Sequence, residues 1–342
     1  MTRKLLAGYV LLFLFGIGQV QAQGTFRYAD LGDFDLESGL VIQNCRIGYR
    51  TFGKLNKDLS NVILFPTWFA GTSQDVVGYV GGANKMLDSL KYYIIAVDAL
   101  GNGVSSSPSN SKQQAGAAFP KFSIRDMVNS QYLLLTRKLK INRLEAVIGI
   151  SMGGMQTFQW MISHPEFMFK AIPIVGSPRL TSQDLLLCQT QLQVIETNQN
   201  CESNEPALMK SLAYIHALAL TTPEYRVRMT KTEDYKKYLA DQEKGVMTKK
   251  PLDWACQLRA IVEHDIYEDP GKTVEQIAQT ITTRYVLIVS AIQDHMVNPA
   301  SARELATLLQ AETLELTGDC GHLAPSCELP RLVEAVQRVL KK

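Results

Sequence analysis

A serine flanked by glycines, in the segment Gly149-Ile150-Ser151-Met152-Gly153, has the spacing of a nucleophile held on a tight turn. An apolar run over 146–150 leads into it and a stretch with helical spacing over 152–163 follows it, which is the strand–turn–helix setting that such a nucleophile requires. The glycines are needed because this turn brings neighbouring backbone too close for a Cβ atom. The helix N-terminus also favours negative charge near the serine. We therefore predict that Ser151 is a nucleophile, the alternative being an ordinary glycine-rich turn.

A serine hydroxyl needs a base before it can attack, and histidine commonly supplies it. On this kind of turn the order along the chain is serine, acid, histidine. His322 follows the last predicted strand, 313–316, and precedes the last predicted helix, 329–340, so it is the predicted base. The other histidines are His164, expected at the surface, His216 and His264, either of which could line a pocket, and His295, expected to point elsewhere.

The acid should come just after the penultimate strand, 285–289. Asp294 is the only carboxylate there, and its task would be to orient the imidazole of the base and to stabilise the imidazolium that forms. Asp319 is the alternative acid because it is closer to His322 in sequence, although aspartate at such a position is more often a turn residue. Asp98 ends an earlier strand, and we expect it to cap or order the glycine-rich loop that follows.

Nucleophilic attack on a carbonyl also needs two backbone donors for the oxyanion. One is the N–H of Met152, the residue after the nucleophile. The other should come from the loop after strand 62–65, where Phe69 is the first choice and Trp68 the second. The side chains of these two aromatic residues could equally belong to the core.

The elements that position these residues alternate between strands and helices. Predicted helices cover 124–138, 152–163 and 329–340, and an upstream region holds two short segments, 40–42 and 46–51, expected to be antiparallel strands. Nearly continuous apolar runs predict strands of a sheet that is covered on both faces; they lie at 62–65, 92–97, 146–150, 171–175, 285–289 and 313–316. This alternation is typical of an α/β fold with a mostly parallel, doubly wound sheet.

One region lacks convincing strands. Amphipathic helical stretches follow one another there, at 182–196, 205–220, 224–243 and 252–267. We predict a helical cap, or lid, over 177–280, inserted into an α/β core made of 23–176 and 281–342.

The N-terminus has the pattern of a secretory signal peptide over residues 1–22. Arg3 and Lys4 precede an apolar run, 5–18, and small residues at Val20 and Ala22 suit a cleavage site. The alternative, an uncleaved anchor, would need an apolar run of roughly 20 residues. We therefore expect a periplasmic or secreted protein that keeps no stable membrane anchor after cleavage.

Charge and composition exclude some classes of partner. The formal net charge is +2, and removing Arg3 and Lys4 takes away two of these charges and leaves zero. No run of five like charges occurs, so nucleic acid is not an expected partner. No C-x-x-C spacing suggests a metal site, and no metal or organic cofactor is implied.

The six cysteines gain interest from the predicted export, because disulfides persist in oxidising compartments. Cys320 and Cys327 bracket His322, whereas Cys188 and Cys201 lie in one largely helical stretch. Either pair could be bridged, and free buried thiols are an equal alternative because sequence alone does not fix connectivity.

Several blocks together resemble the homoserine O-acetyltransferase family of α/β-hydrolase-fold enzymes. The segment 49–56, YRTFGKLN, is similar to that family's Y-x-T-[YF]-G-x-L-N block, and 122–128, FSIRDMV, together with Gln131 is similar to its T-I-R-D-M-V block. The segment 147–156, VIGISMGGMQ, is similar to its V-I-G-G-S-M-G-G-M-Q turn. The resemblance implies an α/β-hydrolase fold with a helical lid, a Ser151–Asp294–His322 triad, and Phe69 and Met152 as oxyanion donors.

Two departures from that family concern the substrate. Its transferases carry an aspartate directly after the catalytic histidine, suited to the ammonium of homoserine, where this chain has Leu323. They also carry a cap arginine suited to the carboxylate, and a loose alignment places His216 nearby without an arginine. Losing both charges removes charge-assisted hydrogen bonds of roughly 1.5–3 kcal/mol each. We expect Trp68, His216 and Leu323 to line a more apolar pocket.

The leading hypothesis is an exported serine hydrolase that cleaves a small-molecule acyl ester, with water as the acceptor because an exported enzyme has no ready supply of acetyl-CoA. The first alternative is a homoserine or serine O-acetyltransferase that uses acetyl-CoA. The second is a non-catalytic binding protein on a hydrolase scaffold. The sequence leaves the acyl chain, the leaving group and a homodimeric state open.

Overall fold

A computed structural model describes residues 23–198, 205–269 and 271–342. The predicted signal peptide, 1–22, and Cys201 lie outside the described residues. In the part of the chain that is described, no helix is long and apolar enough to cross a membrane.

The centre of the fold is an eight-stranded sheet in the order β1-β2-β6-β3-β7-β8-β9-β10. Its strands are β1 (Thr25–Asp35), β2 (Val41–Phe52), β3 (Val62–Pro66), β6 (Tyr93–Val97), β7 (Leu144–Ile150), β8 (Met168–Ile174), β9 (Tyr285–Ala291) and β10 (Glu312–Leu316), while β4 (Val80–Gly81) and β5 (Leu87–Asp88) form a separate short pair. From β6 to β10 every pairing is parallel, and only β1–β2 and β2–β6 are antiparallel. This sheet confirms the predicted fold class.

Both faces of the sheet are covered, as the apolar runs predict. In β3, Val62 and Leu64 belong to one buried hydrophobic cluster, whereas Ile63 and Phe65 belong to the other. All four side chains are fully buried. Because successive side chains of a strand point to opposite faces, the two clusters are the two layers of core that helices close from either side.

The upstream strands differ from the prediction. Apart from Leu40, the two short segments predicted at 40–42 and 46–51 are parts of one strand, β2, which pairs antiparallel with β1 and with β6. The strand continues through the three residues between the two segments, and the last of these, Cys45, is fully buried. The polar Gln43 and Asn44 interrupt the apolar pattern because they are exposed on this edge region of the sheet.

The helices follow the strands in the predicted order. They are α1 (Ile124–Leu133), α2 (Met152–Ser163), α3 (Ser182–Thr197), α4 (Glu205–Leu220), α5 (Pro223–Met229), α6 (Tyr235–Val246), α7 (Pro251–Val262), α8 (Val274–Ala278), α9 (Ala300–Leu309), α10 (Ala324–Cys327) and α11 (Leu329–Leu340). A π-helical segment, Leu134–Leu139, extends α1. The predicted limits of α2 and α11 agree with the structure.

Helices α3 to α8 lie between β8 and β9, where the sequence predicts a cap. The predicted single helix over 224–243 is wrong, since α5 ends at Met229 and a short 3-10 turn, Thr232–Asp234, precedes α6. Thr230 adopts an extended backbone (φ −132°, ψ 105°) and so ends the first helix. The cap boundaries, 177 and 280, stay a prediction.

Candidate active site

Ser151 lies on the sharp turn from β7 into α2, with φ 58° and ψ −122°. Its N–H donates to Ile174 O at 2.8 Å, which ties the turn to the neighbouring strand. A Cβ added at Gly149 would lie 2.1 Å from Gly153 O, and one added at Gly153 would lie 2.4 Å from Pro66 O. Both glycines are therefore required by close backbone approach, and they allow a strained turn that presents the serine hydroxyl.

The structure brings Ser151, His322 and Asp294 into one hydrogen-bonded chain. His322 Nε2 lies 2.8 Å from Ser151 Oγ, and His322 Nδ1 lies 2.7 Å from Asp294 Oδ2. The other carboxylate oxygen of Asp294 accepts from the N–H groups of Met296 and Val297, both at 2.9 Å. Because both oxygens are engaged and the side chain is only 1% exposed, the carboxylate has a single fixed orientation toward the imidazole.

The loop that carries His322 is held from several sides. Its Cys320 is bridged to Cys327 by a disulfide, one of the two pairings that the sequence left open. Thr222, at the start of α5, donates its hydroxyl hydrogen bond to Asp319 O. The carboxylate of Asp319 pairs with Arg228 on the surface, so the alternative acid faces the cap rather than His322.

The two predicted oxyanion donors are the backbone N–H groups of Phe69 and Met152. Phe69 lies in a turn in which Gly71 N–H donates to Trp68 O at 3.0 Å, and Met152 is the first residue of α2. Within the described ranges, neither the Phe69 N–H nor the Met152 N–H donates to another protein group. Both residues line the cavity that Ser151 also lines, which makes their N–H groups candidates for an oxyanion hole, and that role stays a prediction.

That cavity has a volume of about 340 Å³ and is bounded by the turn after β3, by α2, by the His322 loop and by cap helices. Trp68 and Leu323 line it, as the sequence predicts, together with Leu180, Leu258 and Met296. Among the described residues that line it there is no lysine or arginine. The apolar lining favours an uncharged ligand.

Asp184, the one carboxylate among the described residues that line the cavity, is used by the fold. It accepts hydrogen bonds from Asn298 N–H at 2.8 Å and from the backbone and hydroxyl of Thr181, both at 2.9 Å. Burial raises the pKa of this carboxyl above its usual range. Asp184 is therefore a capping group for α3 rather than a free charge for a ligand.

His216 also lines the cavity, as predicted. Its ring stacks on Phe69, with centroids 6.0 Å apart, and meets Trp254 edge-on at 5.5 Å. Burial, and next the nearby His322, lower the pKa of His216 to about 4, so its imidazole is neutral near pH 7. Its Nδ1 is buried without a hydrogen-bond partner in the described structure.

The remaining histidines lie away from Ser151. His295 is exposed, as expected. His264 is buried, and its Nε2 lies 3.1 Å from Ser177 O, which is a structural contact. His164, expected at the surface, is half-buried: its ring stacks on Tyr132 with centroids 4.0 Å apart, and burial lowers its pKa to about 4.

Asp98 is buried at the end of β6 and orders the loop after it, as predicted. Its Oδ1 accepts from Ser73 N–H at 2.8 Å and from Asn102 Nδ2 at 3.1 Å. No cluster of three histidine, cysteine, aspartate or glutamate side chains suited to a metal ion occurs among residues 23–198, 205–269 and 271–342.

The contacts that reach the Phe69 turn from the cap could not be predicted from the sequence. Gln257 accepts from Ala70 N–H at 2.9 Å, and Lys249 donates to Ala70 O. These residues are more than 170 positions from Ala70, and no local motif marks them.

Comparison with known proteins agrees with this architecture. Residues 60–183 match the family described as alpha/beta hydrolase fold. The chain is 30% identical to the homoserine O-acetyltransferase of Trichormus variabilis over 329 residues, which cover 89% of this chain and 90% of the relative. It is 38% identical to the ethyl acetate hydrolase of Pseudomonas veronii over 176 residues, 51% of this chain and 50% of that enzyme, so the match spans about half of this relative.

A solved structure is similar over nearly the whole chain. The acetylester hydrolase from Corynebacterium glutamicum has a TM-score of 0.86 and 26% sequence identity, with 95% of this chain and 98% of that chain covered. The family follows from three findings: the match with the transferase over 89% of the chain, the shared fold, and the motifs around Ser151. This chain belongs to the homoserine O-acetyltransferase-like family of α/β-hydrolase-fold enzymes.

Proposed function

We propose that this protein is an exported serine hydrolase that cleaves a small, uncharged ester through an acyl-enzyme. The observation that carries the proposal is the hydrogen-bonded chain Ser151–His322–Asp294 at the base of an apolar cavity. A serine hydroxyl that shares a hydrogen bond with an imidazole, itself oriented by a buried carboxylate, is the arrangement used for acyl transfer.

The proposed reaction has two halves. Ser151 Oγ attacks the ester carbonyl while His322 Nε2 takes the hydroxyl proton, and the C–O bond to the alcohol breaks as His322 returns that proton to the leaving oxygen. Water then attacks the acyl-enzyme and gives its proton to His322, which passes it to Ser151 Oγ as the carboxylic acid leaves. Asp294 stabilises the transient imidazolium, and the Phe69 and Met152 N–H groups stabilise each oxyanion.

Two features support water as the acyl acceptor. Leu323 lines the cavity at the position where the transferases of the family carry an aspartate, so no carboxylate is offered there to an amino-acid ammonium. His216, held neutral, lies in the region where they carry an arginine. The acceptor pocket therefore lacks both charges that homoserine would need.

The substrate proposed is a short-chain ester with no formal charge. A cavity of about 340 Å³ is at the small end of ligand pockets, and its described lining contains no cation that could pair with a carboxylate or phosphate. The similarity to an ethyl acetate hydrolase and to an acetylester hydrolase supports an acetyl or similarly small acyl group.

We also propose that the protein is exported. The pattern of residues 1–22 supports this, and so does the Cys320–Cys327 disulfide, because such bonds persist mainly in oxidising compartments. Fusion of residues 1–30 to a reporter that is active only outside the cytoplasm should give signal, and a reporter that stays inactive would contradict export.

The alternative function is transfer of an acetyl group to homoserine or serine. Similarity over 89% of the chain to a homoserine O-acetyltransferase favours it. A non-catalytic binding role is a further alternative, and it predicts that a fluorophosphonate probe does not label Ser151.

The deciding experiment is to incubate the purified protein with p-nitrophenyl acetate, with and without homoserine, and to identify the acetylated product by mass. We expect free acetate in both cases, whereas acetylhomoserine formed at the expense of acetate would favour the transferase. Ser151→Ala should abolish turnover, and Ser163→Ala, at the far end of the same helix, should retain it. Turnover by Ser151→Ala at the wild-type rate would contradict the proposed mechanism.

A further inference from the structure

The turn that presents the Phe69 N–H has a strained backbone. It runs from Trp68 to Gly71, closed by the Gly71 N–H to Trp68 O hydrogen bond, and its third residue, Ala70, has φ 54°. A positive φ at this position is the pattern of a type II turn, which ordinarily carries glycine there. This conformation is unfavourable for a residue with a Cβ atom, so contacts from outside the turn must stabilise it.

The groups that hold Ala70 come from the cap. Gln257 Oε1 accepts from Ala70 N–H at 2.9 Å, and Gln257 Nε2 donates to Leu100 O at 2.9 Å. Because one partner is an N–H and the other a carbonyl, the two ends of the side-chain amide are assigned without ambiguity. Lys249 donates to Ala70 O, so both backbone polar groups of Ala70 are bound by cap side chains.

The same helix also contacts the Phe69 side chain. Trp254, one turn before Gln257 on α7, meets the Phe69 ring edge-on with centroids 4.6 Å apart. Gln257 itself is 1% exposed, so its two hydrogen bonds are made in a dry environment where losing either leaves a buried polar group unpaired. α7 also lies close to the loop after β6. A Cβ atom added at Gly101 in that loop would be only 2.5 Å from Sγ of Cys256, which is on α7.

We propose that Gln257 is a positioning residue that couples docking of the cap to assembly of the oxyanion hole, by holding Ala70 in the strained turn that aims the Phe69 N–H. This inference rests on the proposed function. Gln257 is not among the described residues that line the cavity. It acts through Ala70. The Phe69 and Met152 N–H groups are therefore both in place only when α7 packs on the loops after β3 and β6.

The first test is Gln257→Leu, measured with p-nitrophenyl acetate. Misplacing one oxyanion donor should lower kcat by about 10- to 100-fold, somewhat less than deleting it, with KM changed much less. Gln159→Leu is the matched control, since Gln159 is also a buried glutamine, hydrogen-bonded to Ser163 in α2 and not to the turn. An equal loss of kcat in both variants, or an unchanged kcat in Gln257→Leu, would overturn the inference.

The second test asks whether removing the backbone strain at residue 70 restores activity to the Gln257 variant. Glycine adopts positive φ without penalty, so Ala70→Gly added to Gln257→Leu should restore part of the lost kcat, which a general loss of stability would not do. Failure of this rescue would contradict the role of strain at Ala70. If the leucine variant does not fold, Gln257→Met, of closer length, takes its place in both tests.

A failure of this inference is distinguishable from a failure of the proposed function. If the wild-type protein hydrolyses the ester and Ser151→Ala does not, the function stands, and the Gln257 variants alone decide the positioning role. If Ser151→Ala retains turnover, the proposed function fails, and with it the oxyanion role that Gln257 is inferred to support.

Discussion

Nδ1 of His322 lies 2.7 Å from Oδ2 of Asp294, whereas the rival carboxylate, Asp319, pairs with Arg228 at the surface. Asp294→Asn should lower kcat by roughly 10⁴-fold, because the amide can keep the hydrogen bonds of Oδ1 but presents an N–H to the imidazole and selects the wrong tautomer. The measurement is kcat with p-nitrophenyl acetate.

Asp319→Asn is the matched control for this change. It removes an exposed ion pair, which contributes about 1 kcal/mol or less to stability, and leaves the backbone contact with Thr222 in place. We expect kcat close to that of the wild type. A larger loss in Asp319→Asn than in Asp294→Asn would show that the acid has been assigned to the wrong residue.

Leu323 offers a test of acceptor choice. Leu323→Asp should raise the ratio of acetylhomoserine to acetate by about tenfold or more, because a carboxylate in the cavity can accept a charge-assisted hydrogen bond from the ammonium, worth roughly 1.5–3 kcal/mol. Leu323→Asn is nearly the same shape without the charge and should not change the ratio. If both variants give the wild-type product ratio, Leu323 does not set the acceptor.

The disulfide between Cys320 and Cys327 should stabilise the folded protein and the His322 loop. Closing so short a loop is worth about 2–3 kcal/mol on the chain-entropy account, so reductant should lower the free energy of unfolding by that amount and should also lower kcat. The double variant Cys320→Ser/Cys327→Ser should show the lower values with or without reductant. If the wild-type protein has the same unfolding midpoint with and without reductant, this expectation is contradicted.

Three histidines, one of them buried and two half-buried, should make stability depend on pH. Burial lowers the pKa values of His164, His216 and His264 to about 4. The unfolded chain, with histidine pKa values of about 6.5, then binds more protons between pH 4 and 6.5, so stability that is complete above about pH 6.5 is lost as the pH falls toward 4. Denaturant unfolding at pH 7, 6, 5 and 4.5 measures the slope.

A variant isolates one of these groups. His164→Phe keeps an aromatic ring against Tyr132 and removes a titrating group, so the loss of stability between pH 6.5 and 4 should be smaller than in the wild type. His295→Gln, which replaces an exposed histidine instead, is the matched control. Identical slopes for His164→Phe and the wild type would show that His164 is not held neutral.

The sequence by itself determined the features that depend on neighbouring residues. Apolar runs predicted β3 and the strands from β6 to β10, and the glycines around Ser151 marked its turn, because a close backbone approach leaves no other residue type. Chain order then selected His322 and Asp294, and the motifs identified the family. Two predictions about local structure were wrong. The polar residues Gln43 and Asn44 made β2 look like two strands, and no local pattern predicted that a helix ends at Met229.

Only the tertiary structure decided the contacts between segments that are far apart along the chain. It placed Asp319 against Arg228, 91 residues away, and set Gln257 on Ala70, 187 residues away. It also decided that Cys320 is bridged to Cys327, a pairing that the sequence left open. A glutamine inside an amphipathic helix has the same local pattern whether it faces water or a strained turn. Its partner is chosen by how the cap packs on the core, and that packing is a property of the whole chain.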